Sequence, residues 1–195
     1  MNPRTHIDAL ARTLDALRGH SNMLVRWGRV MAEQLPTGAR LLAAGNGGSA
    51  AEAQHLTAEL VGRYRTDRNP YSAIALCSES SSVTAISNDY GYDEVFARQV
   101  TAHGRSGDIL VLLSTSGHSN NLLQAARAGA RCGLTVWAMT GARPNPLADL
   151  ADETLALPGD ACTVQEAQLA AVHILCEAFE AAVGLPAAET QRQVS

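Results

Sequence analysis

The sequence predicts an α/β domain built on a parallel sheet with helices on both faces. Short apolar runs alternate with longer stretches of helical period, the pattern of successive βαβ units. Two of the apolar runs stop at turns rich in glycine or hydroxyl groups. Hydrophobic residues make up 46% of the chain and aromatic residues only 4%, so Ala, Leu and Val supply most of the core. That composition suits helices packed on a sheet, and right-handed crossovers then order the strands. A chain of 195 residues suits one compact domain with a helical extension.

The elements follow in order. Ile7, Leu10, Leu14 and Leu17, then Met23, Leu24, Trp27, Val30, Met31 and Leu35, recur at helical spacing. Residues 1–36 are therefore predicted as N-terminal helices, two of them or one broken near Arg18-Gly19-His20. The run Arg40–Ala44 reads as a buried strand ending in Gly45-Asn46-Gly47-Gly48-Ser49, and residues 49–64 as the helix that follows. Next come a strand over 71–78, a helix over 81–87 and a further helical stretch over 93–103. Asp108–Ser114 is the clearest strand; it runs into Thr115-Ser116-Gly117 and then a helix to about Cys132. Residues 134–140 and 154–157 complete five strands, and the last helix spans about 164–183. The expected architecture is a three-layer, flavodoxin-like fold. Residues 37–186 form its α/β core within a single domain, and residues 187–195 form a polar, disordered tail.

Composition also excludes partners. The net charge is -4, which argues against nucleic acid, because duplex binding needs a basic face. A small anion remains possible, since backbone N–H groups at a helix start bind phosphate without global positive charge. The N-terminal stretch is amphipathic and lacks the apolar region of a signal peptide, and no apolar run is long enough to span a bilayer. Cys77, Cys132, Cys162 and Cys176 form no CxxC pair and read as reduced thiols of a cytoplasmic protein. Neither a Walker A loop nor a GxGxxG fingerprint occurs, so no nucleotide cofactor is expected.

In folds of this kind ligands sit outside the carboxyl ends of the strands. The Gly45–Ser49 turn lets the backbone approach a ligand closely, and the helix after it offers unpaired N–H groups. The alternative is a tight turn that merely needs glycine. Ser114-Thr115-Ser116-Gly117-His118-Ser119 places four hydroxyls at a second helix start, enough to hold the oxygens of a phosphate. Helix capping by Ser or Thr is the competing account, and it explains one hydroxyl rather than four.

The acid–base inventory is short. His55 and Glu59 are four apart, on one face of the helix after the glycine turn. His173 lies on the last helix among Leu169, Val172, Leu175 and Cys176, where a hydrogen-bonded core histidine is the ordinary reading. Gln165 and Glu166 open that helix. His6, His20, His103 and His118 read as surface or loop residues without a partner at a telling spacing. Glu and His tuned toward neutrality suffice for an aldose–ketose isomerase, which needs a base beside a carbonyl and a group to move protons between sugar oxygens.

Gly45-Asn46-Gly47-Gly48-Ser49-Ala50 with Gln54-His55, Ala58-Glu59-Leu60 and Gly62-Arg63-Tyr64 closely resembles the phosphoheptose isomerases. These are sugar isomerase (SIS) domain proteins that convert sedoheptulose 7-phosphate to glycero-manno-heptose 7-phosphate. The likeness continues through Thr84-Ala85-Ile86, Asn88-Asp89-Tyr90-Gly91 and Val95–Val100, then Ser114-Thr115-Ser116-Gly117 with Ser119, and ends in Gln165-Glu166 and His173–Glu177. It covers most of the chain, in order.

The resemblance implies the three-layer SIS fold and an isomerase working through a cis-enediol, with Glu59 as general base and His173 as its acid/base partner. It implies that Ser114, Thr115, Ser116 and Ser119 hold the phosphate. Asn46, Gly47, Gly48, Ser49, Asn88 and Asp89 would contact the sugar or its phosphate, and Arg63 and Gln165 would line the site. It further implies zinc on His55, Glu59, Gln165 and His173, and a homotetramer with sites near subunit interfaces. The chain departs from the family pattern at Cys162-Thr163-Val164, at His118 and across Ala142–Pro146, all near the substrate end. Three rival readings remain. One is a SIS protein that binds a replication initiator; Glu59 and His173 weigh against it. Another is a sugar-phosphate sensor, which normally carries an added DNA-binding domain. The third is an isomerase of another ketose phosphate, as in natural-product sugar synthesis.

Overall fold

The computed structural model describes residues 3–184, so the tail expected at 187–195 lies outside the described residues. Two helices come first, α1 (Pro3–Arg18) and α2 (Ser21–Gln34), broken at Gly19-His20 as the periodicity predicts. Then follow β1 (Leu41–Gly45), α3 (Gly48–Val61), β2 (Ala73–Ala75), α4 (Ser80–Tyr90) and, after a 3₁₀ turn at Tyr92–Glu94, α5 (Val95–His103). The second half holds β3 (Ile109–Ser114), α6 (Asn120–Cys132), β4 (Thr135–Thr140), α7 (Pro146–Leu150), β5 (Glu153–Ala156) and α8 (Ala161–Ala182).

The five strands are parallel in the order β2-β1-β3-β4-β5. The order reverses direction between β1 and β3, which makes their carboxyl ends the topological switch point where such sheets bind ligands. β1 and β3 run level, Leu41 beside Ile109 through Gly45 beside Leu113. The glycine turn and the hydroxyl-rich loop therefore emerge side by side.

Both faces of the sheet are covered, and residues alternate between them as strand geometry requires. Leu41, Ala43, Val111 and Trp137 face a core shared with α2, α3 and α8, while Leu42, Ala44, Leu112 and Val136 face one shared with α5 and α6. Trp27 of α2 stacks flat on Trp137 of β4, with ring centroids 4.6 Å apart. Burying a large apolar side chain contributes about 1.5–3 kcal/mol, so this pair anchors the N-terminal extension to the sheet.

Several elements differ from expectation; α3 ends at Val61 and α4 runs on to Tyr90. β2 pairs only over Ala73–Ala75, because the chain turns immediately after it, with Ser78 N donating to Ala75 O. α7 was not anticipated; Asn145 caps it by accepting from Ala148 N at 2.9 Å, with Pro146 opening the helix. α8 begins three residues early because Asp160 caps it, accepting from Cys162 N and Thr163 N, which also holds the Asp160 carboxyl below its ordinary range. Gln165 thus stands in regular helix, about 12 Å along the axis from His173.

Candidate active site

The site is built where α3 leaves the glycine turn and packs beside α8. Gly48 opens α3 with the Gln165 side-chain amide directly above it, and a Cβ there would overlap that amide. Two and three turns further on, α3 turns His55 and Glu59 to the same side, with His55 Nε2 3.3 Å from Glu59 Oε1. α8 supplies His173, whose Nε2 lies 2.8 Å from His55 Nε2 with the two rings edge to face. Ligand atoms of all three residues lie within 4.8 Å of one another, and all three residues are half-buried. At 2.8 Å two imidazole nitrogens cannot both point a proton at each other; one donates while the other accepts, or a cation takes the proton's place. Two imidazoles and a carboxylate are the donor set of His₂Glu zinc sites that keep a coordination position open, so the residues present fit a metal ion.

Tyr64 stands beside the cluster, its ring 5.5 Å from that of His173, with the Arg65 guanidinium over the Tyr64 ring. Burial, first among several effects, raises the Tyr64 hydroxyl above its ordinary pKa. Its loop is held from behind. The buried carboxylate of Glu180 accepts from the backbone N–H of Tyr64, Arg65 and Thr66, and the Arg68 guanidinium lies beside it. Arg63, expected to line the site, is exposed and donates to the Arg65 carbonyl at 3.1 Å.

The second strand end forms a braced loop. The Ser114 hydroxyl accepts from Gly117 N at 3.0 Å and that of Ser116 accepts from His118 N at 3.2 Å. Gly117 has φ +68° and lies against the Asn145 side chain, so the position needs glycine for both conformation and space. Gly141 N donates to Thr115 O, and Leu147 N to Gly117 O, so α7 and the segment before it buttress the loop. Ser119 stands at the N-cap of α6 without making a side-chain cap bond. Capping therefore does not account for its hydroxyl, and the helix start remains open toward an anion.

The remaining expected residues fall around this frame. Asn88 and Asp89 end α4, exposed and hydrogen-bonded to each other at 2.8 Å. The Tyr92 hydroxyl just beyond reaches Asn46 Oδ1 at 3.0 Å, which ties that segment to the glycine turn. Asn46 also pairs with Asn121 of α6. Sequence reasoning missed Tyr92, Asn121, Asn145 and Glu180; of these only Asn145, followed by Pro146, carried a local cap signal. It also missed that His6 has a partner, Glu166 of α8 at 3.0 Å. All four cysteines are free thiols, as expected.

Comparison with known proteins agrees with this geometry. The SIS domain family model matches residues 5–141. The phosphoheptose isomerase of Streptomyces coelicolor is 60% identical over 179 residues, covering 91% of this chain and 78% of that protein. A Bradyrhizobium phosphoheptose isomerase is 47% identical, covering 83% of each. Among solved structures, the phosphoheptose isomerase of Neisseria gonorrhoeae superposes with a TM-score of 0.85 at 35% identity, over 91% of this chain and 96% of that one. That of Francisella tularensis gives 0.82 at 30% identity, over 93% of this chain and all of the other.

Proposed function

The chain belongs to the SIS domain family, within it to the phosphoheptose isomerases, and from that membership we propose that it interconverts sedoheptulose 7-phosphate and D-glycero-D-manno-heptose 7-phosphate. The observation that carries the chemistry is the meeting of Glu59 and His55, on the helix launched from the switch point, with His173 of α8. Ser114, Thr115, Ser116 and Ser119 hold the phosphate, with Ser114 and Ser116 also shaping the loop. Gly47, Gly48, Ser49 and Gln165 face the sugar, with Asn46, Asn88 and Asp89 at its edge and Arg63 at the mouth.

Glu59 removes a proton from C1 of the ketose. The electron pair forms the C1–C2 double bond of a cis-enediolate while the carbonyl electrons move to O2. His173 carries a proton from O1 to O2, and Glu59 returns its proton to C2, leaving the aldehyde at C1. One carbon is oxidised and its neighbour reduced within a single molecule, so no redox cofactor takes part. His55 Nε2, hydrogen-bonded to His173 and 3.3 Å from the Glu59 carboxylate, keeps both oriented. His55, Glu59 and His173 are the residues that would hold zinc, which polarises the carbonyl and stabilises enediolate charge when bound. Gln165 is assigned to the sugar rather than to the ion, because its amide rests on Gly48.

Residues Leu14, Leu169 and Ile174 are exposed on α1 and α8. A second copy of the chain would cover such a face, and we propose a homotetramer assembled in part through it. On this reading the protein works in the cytoplasm, where charged sugar phosphates are retained. Among the described residues no helix is long and apolar enough to cross a membrane. The test is turnover across a panel of ketose phosphates with light scattering of the same sample. Preference for the seven-carbon substrate in a tetramer supports the proposal; preference for another ketose phosphate reassigns the substrate; no turnover of any member removes the isomerase reading.

A further inference from the structure

The two strand ends are joined by a pair of side-chain amides. Asn46, just after β1, donates from Nδ2 to Asn121 Oδ1 at 3.0 Å, and Asn121, in the first turn of α6, donates from Nδ2 to Asn46 Oδ1 at 2.9 Å. The Tyr92 hydroxyl donates to the same Asn46 Oδ1 at 3.0 Å. Both acceptor positions of that oxygen are then filled, and one N–H of Asn46 is left for any other partner. Asn121 is only 2% exposed, so its amide serves the interior of the site and not solvent.

This arrangement has a consequence for substrate binding. On the isomerase reading the Gly45–Ser49 turn contacts the sugar and the Ser114–Ser119 loop beside it holds the phosphate. The span between them sets which sugar carbon arrives at Glu59. Backbone pairing of β1 with β3 holds the loops level only as far as Gly45 and Leu113. Beyond that point the Asn46–Asn121 pair ties the glycine turn to the start of α6, directly after the hydroxyl loop, and Tyr92 locks it from the α4 side.

We infer that Asn121 and Tyr92 are positioning residues: acting through Asn46, they fix the span between the phosphate loop and the Glu59–His173 pair. The inference rests on the isomerase reading. It also narrows the role of Asn46, which can offer the sugar a single donor and otherwise belongs to the tie.

Turnover of sedoheptulose 7-phosphate and competitive inhibition by inorganic phosphate, measured on the same variants, test it. A misplaced reacting centre loses rate steeply, so Asn121→Ala should lower kcat/KM at least about tenfold. Inhibition by inorganic phosphate, which needs only the hydroxyl loop, should stay within about twofold, since that loop keeps its own donors. Tyr92→Phe removes one exposed hydroxyl without endangering the fold and should lower kcat/KM by about threefold or more while leaving phosphate inhibition unchanged. In an Asn46→Ala background, Asn121→Ala should add little further loss, because its effect passes through Asn46. Full activity of Tyr92→Phe and Asn121→Ala in an active wild-type background overturns the inference alone. So does parallel loss of turnover, phosphate inhibition and thermal stability, which marks a merely structural role, and so do losses that multiply independently in the double variant. An inactive wild-type protein overturns the isomerase reading and this inference with it.

Discussion

His55 Nε2 on α3 stands 2.8 Å from His173 Nε2 on α8, with Glu59 Oε1 3.3 Å from the same His55 nitrogen. The two histidines are 118 residues apart in sequence, and the packing of α3 on α8 is what makes them neighbours. Three donors converging this closely hold a cation more readily than three protons. The protein should therefore retain about one zinc per chain on purification, the stoichiometry of a single His₂Glu site. A ligand present at a hundred times its Kd stabilises the fold by about 2.7 kcal/mol, so chelation should lower the Tm by several degrees and added zinc should restore it. His55→Ala and His173→Ala should each bind substoichiometric zinc. Metal analysis and thermal unfolding with and without chelator check this; variants that retain full metal would contradict it.

Gly117→Ala probes the phosphate loop. The residue sits at φ +68° with the Asn145 side chain where a Cβ would go. Holding a side chain in such a conformation costs about 1–3 kcal/mol. The substitution should lower stability by that order and raise the KM for sugar phosphate more than it lowers kcat. Denaturant unfolding and steady-state kinetics together test the pair of effects. An unchanged KM would detach this loop from phosphate binding.

Glu52 gives a prediction about pH. Burial pushes its carboxyl from 4.5 up to about 7, and one of its oxygens has no hydrogen-bond partner. Below the unfolded value the group is neutral in both states and costs nothing. As pH rises, the unfolded chain ionises first, so the fold loses stability progressively and the penalty is complete above the folded value. A shift of this size corresponds to about 3 kcal/mol. Glu52→Gln, neutral at every pH, should be more stable than wild type at pH 8 by up to that order and equal to it near pH 4. Unfolding free energies across that range decide the matter, and a variant less stable at pH 8 would contradict the sign.

Much of this was legible in the sequence, for identifiable reasons. β1 and β3 are central strands buried on both faces, so they appear as unbroken apolar runs ending in turns of unusual composition. β2 at the sheet edge was overread, because its apolar run continues into a turn that local pattern does not mark. α7 is five residues long, too short to show a period. His55 and Glu59 were readable as a pair because helical spacing places them on one face. His173 was not readable from its apolar neighbours, which predict a core residue; the family resemblance supplied it, and the α3–α8 contact explains it. Asn121 and Tyr92 carried no local signal. Their role depends on a tertiary meeting of the glycine turn, a 3₁₀ turn and the start of α6, which residue spacing does not encode.

On the proposed function, Glu59 removes the proton in an aldose–ketose isomerisation of a seven-carbon sugar phosphate. The most direct measurement is the turnover of sedoheptulose 7-phosphate by wild type and by Glu59→Gln, with thermal unfolding of both proteins recorded alongside. General acid–base groups typically contribute about 10²–10⁴-fold. Wild type should form the aldoheptose phosphate, and the variant should unfold like a native protein yet turn over at least about 10²-fold more slowly. A folded Glu59→Gln protein that turns over at the wild-type rate would contradict it.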